Sequence, residues 1–445
     1  MQFLDSLLSR SVSLAWGPPL VLLLMGGGTF LLFYCRFLPF RRFHHALEIL
    51  RGKFDRPDAP GEITHFQAVS TALASTIGLG NIGGVAIAIT QGGPGALFWM
   101  WVAAIVGMAT KFFSCSLAVM YRGKDSAGQL QGGPMYYIQE GLGPSFRPLA
   151  VFFSLCGTIG CLGIFQANQV AEILYSSHGI PRPWTGLIAL LLVAAVMLGG
   201  LQRIARVAAA LVPLMCLLYL AGVLWIGLVH WDRIVPTLFE IFSDAFTGRG
   251  VAAGAAGSTW LVVVLTGVKR AAFSNEAGIG TAPMAHGAAR TNEPIREGLV
   301  AMVEPFVDTV VVCSLTATAI LVTGVWEPGA PLQGIALTAK AFEVGLGVWG
   351  PPILTLVALL FGLSTMFGYS YYGRKCFAFL AGAERARYYD YFYLATLFVG
   401  SVWTARMVVN LVDTAFALMA LPNMLAVLWL SPRVMRAARK YFERA

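Results

Sequence analysis

Residues 68–95 read AVSTALASTIGLGNIGGVAIAITQGGPG. The stretch is apolar enough to enter a bilayer, yet Gly78, Gly80, Gly83 and Gly84 crowd its middle. Each glycine costs a helix interior about 1 kcal/mol, so the sequence predicts an unwound turn around Gly78-Leu79-Gly80-Asn81. In lipid an unpaired amide or carbonyl is expensive, and a broken helix persists only where protein, ion or ligand meets the freed groups. Such a break offers amides at the start of its second half to an anion, and bare carbonyls at the end of its first half to a cation.

A second stretch does something similar. Phe273-Ser-Asn-Glu-Ala-Gly-Ile-Gly-Thr281 repeats the GxG spacing at Gly278 and Gly280. Paired glycine interruptions at corresponding places in two halves point to a transporter binding site. The plainer alternative, close helix packing on small residues, accounts for either stretch alone better than for both together.

The chain has 445 residues, 57% of them hydrophobic and 12% charged, with mean hydropathy +0.71. That composition excludes a soluble domain and predicts an all-α polytopic membrane protein, with the bilayer as its main partner. The net charge of +9 is spread over loops and implies no nucleic acid. Seven cysteines without a CxxC pair read as packing residues. Six histidines form no metal spacing, so no cofactor is expected and the only metal is a coupling sodium ion. The first apolar run is too long for a cleaved signal and reads as a retained helix.

About eleven spans are predicted, near 16–38, 66–90, 95–121, 149–175, 184–200, 207–230, 256–283, 298–324, 348–370, 389–405 and 408–430. Shorter amphipathic pieces near 133–142, 236–247 and 333–345 should lie on the surface or plug a vestibule. Placing the first loop inside puts 22 of the 31 lysines and arginines on that side, six outside and three (Lys111, Lys269, Arg270) within spans. This predicts an amino end outside and a carboxyl tail in the cytoplasm of a cell-membrane protein. The organisation is then a peripheral first helix with a basic loop (1–60), a five-helix repeat (61–232), a second, inverted five-helix repeat (250–431) and a basic tail (432–445). Each repeat opens with a broken helix.

Several motifs at this point resemble the alanine or glycine:cation symporter family. They are Gly78-Leu-Gly-Asn81, Gly92-Gly-Pro-Gly-Ala-Leu-Phe-Trp-Met-Trp101, Gly107-Met-Ala-Thr-Lys-Phe112, Gly132-Gly-Pro-Met-Tyr-Tyr137, Phe273–Gly280, Ala285-His-Gly-Ala-Ala289 and Tyr371-Tyr-Gly373. The resemblance runs from about residue 60 to about 430. It implies a leucine-transporter-type fold and sodium- or proton-coupled carriage of alanine or glycine. The stretch Ala74–Asn81 is also similar to the first broken helix of neurotransmitter:sodium symporters.

By matching positions, the resemblance implies a cation site where the carbonyls of Ala74 and Ile77 meet the hydroxyls of Ser364 and Thr365. It implies substrate contact at Gly78, Leu79, Gly80 and Asn81, at Gln166, and along the second break at Phe273, Ser274, Asn275 and Gly278. The chain departs from the family in having Tyr369 where Trp is usual and Arg374 where Glu is common.

The residues themselves suit such a role. A carboxylate fits the helix start after Gly78. An ammonium fits carbonyls of the second break and neutral acceptors such as Gln166, Asn168 or Asn275, although Gln166 and Asn168 could equally serve as interhelical hydrogen bonds. Phe165, Phe273 and Tyr369 would confine the side chain to a methyl group or hydrogen. A hard cation wants oxygens, and two carbonyls with two hydroxyls supply four, unless Ser364 and Thr365 only bond back to their helix.

Ionisable residues inside spans are functional candidates. Glu276 either pairs with Lys269 or Arg270 to hold the bent helix, or, like Asp308, responds to the cation or a proton. Lys111 reads as paired or snorkelling, Asp413 and Glu172 as vestibule or packing residues, and His286 as a capping or gating residue. With no GxxxxGK[ST] loop, an ion gradient must drive transport. A channel would need a ring of filter residues and an intramembrane enzyme a nucleophile–base pair or metal cluster, and neither is found. The expectation is a symporter for a small neutral amino acid and a monovalent cation, working as a monomer, with no enzymatic activity.

Overall fold

A computed structural model describes residues 9–12, 14–55, 58–248, 259–329 and 334–444. Residues 256–258 of the seventh predicted span, and Arg56 and Arg249 of the charge count, lie outside these. Helices occupy all eleven predicted stretches. Among the described residues six helices are long and apolar enough to cross a membrane. The pair His65–Thr76 and Gly80–Gly92, bent by 52°, makes a seventh.

The peripheral helix α1 (Pro18–Tyr34) is followed by a set of five spans. The first of these is α2 (His65–Thr76) with α3 (Val85–Gly92). Then come α4 (Ala96–Met120), α5 (Arg147–Gly160) with α6 (Ile164–His178), α7 (Arg182–Met197) and α8 (Gly200–Val229). The surface helix α9 (Trp231–Thr247) leads to the second set. It comprises α10 (Thr259–Asn275) with α11 (Ala282–His286), then α12 (Pro294–Ala301) with α13 (Ser314–Val322). After the short α14 (Ile335–Leu346) come α15 (Gly350–Ala381), α16 (Ala386–Val402) and α17 (Ala405–Phe442). Each set of five opens on a broken helix, as the glycine pairs predict. The strands β1 (Gly123–Lys124) and β2 (Leu130–Gln131) form one small antiparallel hairpin after α4.

Local chemistry explains where the helices begin and fail. Thr64 and Gln67 form a reciprocal capping box that starts α2. The glycines at 78–84 then leave two residues unwound and a π-helical turn over Gly80–Gly84 before α3. A second π stretch, Phe306–Cys313, follows Pro305, whose missing N–H breaks the α-helical ladder.

Charged side chains lie inside, among a large apolar core, while large apolar side chains face outward. Lys111, Glu276, Glu297, Glu304, Asp308 and Asp413 are buried, whereas Trp184, Trp225, Phe239 and Trp429 are well exposed. That distribution suits lipid around the helices. The 133–142 piece departs from expectation. Met135, Tyr136, Tyr137 and Ile138 are buried beneath α17 and α5 rather than lying at an interface. The piece near 236–247 is the exposed α9, and Gly334 and Ile335 at the start of α14 line a vestibule.

Candidate functional site

The first break is closed by side chains. Gly78 N–H turns from the helical partner it would have at Ala74 to Asn81 Oδ1 at 2.9 Å, and Leu79 N–H donates to Gln166 Oε1 at 3.0 Å. The two amides expected to face an anion are therefore each met by a carboxamide oxygen. An incoming carboxylate would have to displace both. Gly78 sits against Thr365 Oγ1 so closely that a Cβ would collide with it, and a Cβ would also lie 3.2 and 3.3 Å from the two ends of the Gln166 amide. The Phe273 ring, from the second break, packs onto Gly80.

The two breaks are joined through one carboxylate. Asp308, fully buried on the π stretch, accepts from Asn81 Nδ2 at 2.7 Å on one oxygen. Its other oxygen accepts from Ser274 Oγ at 2.7 Å and from Thr309 Oγ1 at 2.8 Å. Thr316 Oγ1 donates to the Asn81 carbonyl at 2.7 Å. Thus Asn81, Ser274 and Asp308, far apart in sequence, form one cluster in which every donor is neutral.

In the second break α10 ends at Asn275, and Glu276 takes φ +55°, followed by Gly278 at +88° and Gly280 at +102°. A left-handed glutamate is uncommon and strained. It turns the carboxylate out of line with α10. The Tyr369 and Thr281 hydroxyls donate to it, and Glu276 does not pair with Lys269 or Arg270. Both of those basic groups reach Asp413 Oδ2 instead, each at 2.8 Å. Asp413 is therefore a counter-ion rather than a packing residue.

Not all predicted residues converge. Residues two apart on a helix point to different sides. Gln166 accordingly faces the first break, while Asn168 donates to the Gly400 and Trp403 carbonyls at the end of α16, at 3.0 and 2.8 Å. Asn275 serves Thr309 and the Ala277 amide. Gly278 faces Leu24 of α1 and Met424 of α17, away from Gly78. Ser364 and Thr365 both donate to the Phe361 carbonyl, at 2.9 and 3.1 Å, which leaves their oxygen lone pairs available. Ala74, on α2, and Ile77, just past its end, are buried, and α2 packs along α15, where Gly368 abuts Ser75.

Phe165, Phe273, Phe416 and Tyr369 pack in sequence through T-shaped and tilted ring contacts, with consecutive centroids 5.2–6.2 Å apart. Arg270 lies over Phe273 at 5.2 Å. It also lines, with Asp413, Lys269 and Gln169, a vestibule of about 610 Å³. Removing one partner of a buried ion pair costs about 3–5 kcal/mol because a charge is left uncompensated. Asp413→Asn is therefore expected to lower the thermal stability of the detergent-purified protein strongly. Lys269→Met, at a side chain 23% exposed, should lower it far less.

A second polar system was not legible as a unit in the sequence. His65 meets Glu297, which meets His286 Nδ1 at 2.6 Å. His286 meets Glu304, which pairs with Lys111 at 2.7 Å. All five are buried, and they stitch α2, α4, α11 and α12 together. Opposite charges recurring inside apolar runs were the available signal.

The family model described as "Sodium:alanine symporter family" matches residues 1–445. The chain is 39% identical to the sodium/alanine symporter AgcS of Methanococcus maripaludis over 449 residues, covering 98% of this chain and 97% of that protein. It is also 39% identical to an uncharacterized transporter of Haemophilus influenzae over 446 residues, covering 99% and 97%. Among solved structures, MhsT in complex with L-phenylalanine superposes with a TM-score of 0.55 at 12% identity, covering 83% of this chain and 89% of that one. That likeness speaks for the fold alone.

Proposed function

Because this chain belongs to the sodium:alanine symporter family, a family of multi-pass membrane transporters rather than enzymes with the leucine-transporter-type fold, we propose that it carries a small neutral amino acid, alanine or glycine, into the cell together with sodium. The observation that supports this reading best is the Asp308 carboxylate held between Asn81 of the first break and Ser274 of the second. One unwound region can then contact both ligands. That shared contact supplies the reciprocal coupling free energy that symport requires.

In this reading the substrate carboxylate replaces the Asn81 and Gln166 oxygens at the Gly78 and Leu79 amides, and the freed carboxamides turn to the ligand. Phe165, Phe273 and Tyr369 bound the side chain, and Phe273, Ser274 and Asn275 offer acceptors to the ammonium. Sodium takes the carbonyls of Ala74 and Ile77 with Ser364 and Thr365 Oγ. Loss of the helical bond between Gly78 N–H and the Ala74 carbonyl favours that assignment. The repeats 61–232 and 250–431 move by alternating access, with α2, α4, α10 and α12 as the rocking bundle. The amino end lies outside and the basic tail in the cytoplasm of the cell membrane, and a monomer suffices.

Proton coupling is the second reading, favoured by the position of Asp308 among neutral donors. Uptake of labelled alanine into proteoliposomes, with sodium and pH gradients imposed separately, distinguishes the two. Sodium-driven, saturable uptake is expected. Uptake driven by the pH gradient alone selects the proton reading, and non-saturating flux would remove the carrier mechanism altogether.

A further inference from the structure

At the end of α4 away from the vestibule, a cavity of about 260 Å³ lies between the β1–β2 hairpin, α8, α15 and α16. Its wall carries two polar groups whose needs are unmet. Lys375 is 6% exposed, and its Nζ donates to the Met284 carbonyl and the Tyr371 hydroxyl, both at 2.9 Å and both neutral. Glu62 and Asp125 act on it only through space, and a buried ammonium with no anion bonded to it is costly. Asp390 is 4% exposed. One of its oxygens accepts from Arg374 at 2.9 Å, and the other, Oδ1, is buried with no hydrogen-bond partner among the described residues. Met197, Leu201 and Ile204 supply an apolar wall.

A cation with no anion bonded to it, in the same cavity wall as a carboxylate oxygen lacking a donor, is the complement of an amino-acid zwitterion. We propose that this cavity is a second amino-acid site, reached from the cytoplasmic side, with the ligand carboxylate on Lys375 Nζ and its ammonium on Asp390 Oδ1 once that buried oxygen turns into the cavity. The proposal rests on the carrier reading above. A small inorganic anion would satisfy Lys375 only and would meet Asp390 and Asp125 in the same wall. The volume lies just below the roughly 300–1,000 Å³ of pockets for drug-sized ligands, which suits a molecule of amino-acid size.

The location gives the site a consequence. Met284 lies in α11, the inner half of the second broken helix, and Lys375 ties that half-helix to α15. A ligand carboxylate on Lys375 competes with the Met284 carbonyl and loosens the tie. Amino acid accumulated inside would thereby act on the inner opening.

Equilibrium binding of labelled alanine to the detergent-purified full chain, with and without sodium, tests this. The wild type should show a sodium-dependent component and a separate sodium-independent one. Asp390→Asn should weaken the sodium-independent component at least tenfold and retain the other. Lys375→Met should weaken it likewise, and Lys375→Arg should keep it. Should Lys375→Met elute as aggregate, Asp390→Asn carries the test. A wild type with the sodium-dependent component alone, a second component indifferent to Asp390→Asn, or its displacement by chloride would overturn the proposal and leave the carrier reading standing. A wild type that binds neither alanine nor glycine, with or without sodium and at low or neutral pH, would overturn both.

Discussion

Replacing Gly78 with valine is expected to bring amino-acid uptake to background while the protein still reaches the membrane. The Gly78 Cα lies against Thr365 Oγ1, and both ends of the Gln166 amide stand 3.2–3.3 Å from where a Cβ would be. Even a single added methyl group overpacks this contact. Overpacking costs about 1–3 kcal/mol, and each ~1.4 kcal/mol is tenfold. Gly78→Ala should therefore lower uptake roughly 5- to 150-fold. The two further methyl groups of valine push Thr365 away from the first break and part Gln166 from the Leu79 amide. Both proposed ligand sites then lose geometry together. Uptake by proteoliposomes at matched incorporation is the measurement. Valine transporting at the wild-type rate would sink the idea that ligands meet at this turn.

Asp308→Asn should have an effect of similar size by a different route. Asparagine keeps the shape of the group and one acceptor oxygen, so the hydrogen bond from Asn81 can persist. The Ser274 and Thr309 hydroxyls can rotate to accept from the new amide. The fold should therefore survive, with little change in thermal stability. What disappears is a negative charge at the junction of the two breaks. Uptake is expected to fall at least a hundredfold, with the residual flux no longer responding to the driving cation. Unchanged uptake with its full cation dependence would assign Asp308 a purely structural role.

The sequence carried the breaks themselves because glycine acts locally. Gly78 and Gly80 weaken a helix whatever surrounds them, and the capping box at Thr64 and Gln67 is equally local. It could not reveal what would meet the freed amides. That depends on Gln166, 87 positions from Leu79, approaching in space. Nor could it show that Glu276 would leave its helix. Lys269 and Arg270 are near in sequence, yet the left-handed turn at Glu276 aims the carboxylate at Tyr369 on α15. Tyr369 stands where the resembled family usually has Trp, and its hydroxyl supplies the contact. Asn168 looked as suitable as Gln166 because polarity in an apolar run was the signal, whereas helical phase separates the two. The relay from His65 to Lys111 was invisible for the same reason as the Gln166 contact, since His65 and Glu297 are 232 positions apart.

The ties at the two ends of the second broken helix differ in kind. At the vestibule end the tie is Coulombic, Arg270 and Lys269 against Asp413. At the other end an ammonium rests on a main-chain oxygen. Dissolved electrolyte attenuates attraction only where water can approach the charges; the Lys269 side chain is 23% exposed, whereas Arg270, Asp413 and the ammonium at the other end are buried. Raising ionic strength on one face or the other is thus an unequal intervention. It should weaken only the Lys269 arm of the vestibule tie, and modestly, while the buried Arg270–Asp413 arm and the fastening at the opposite end hold.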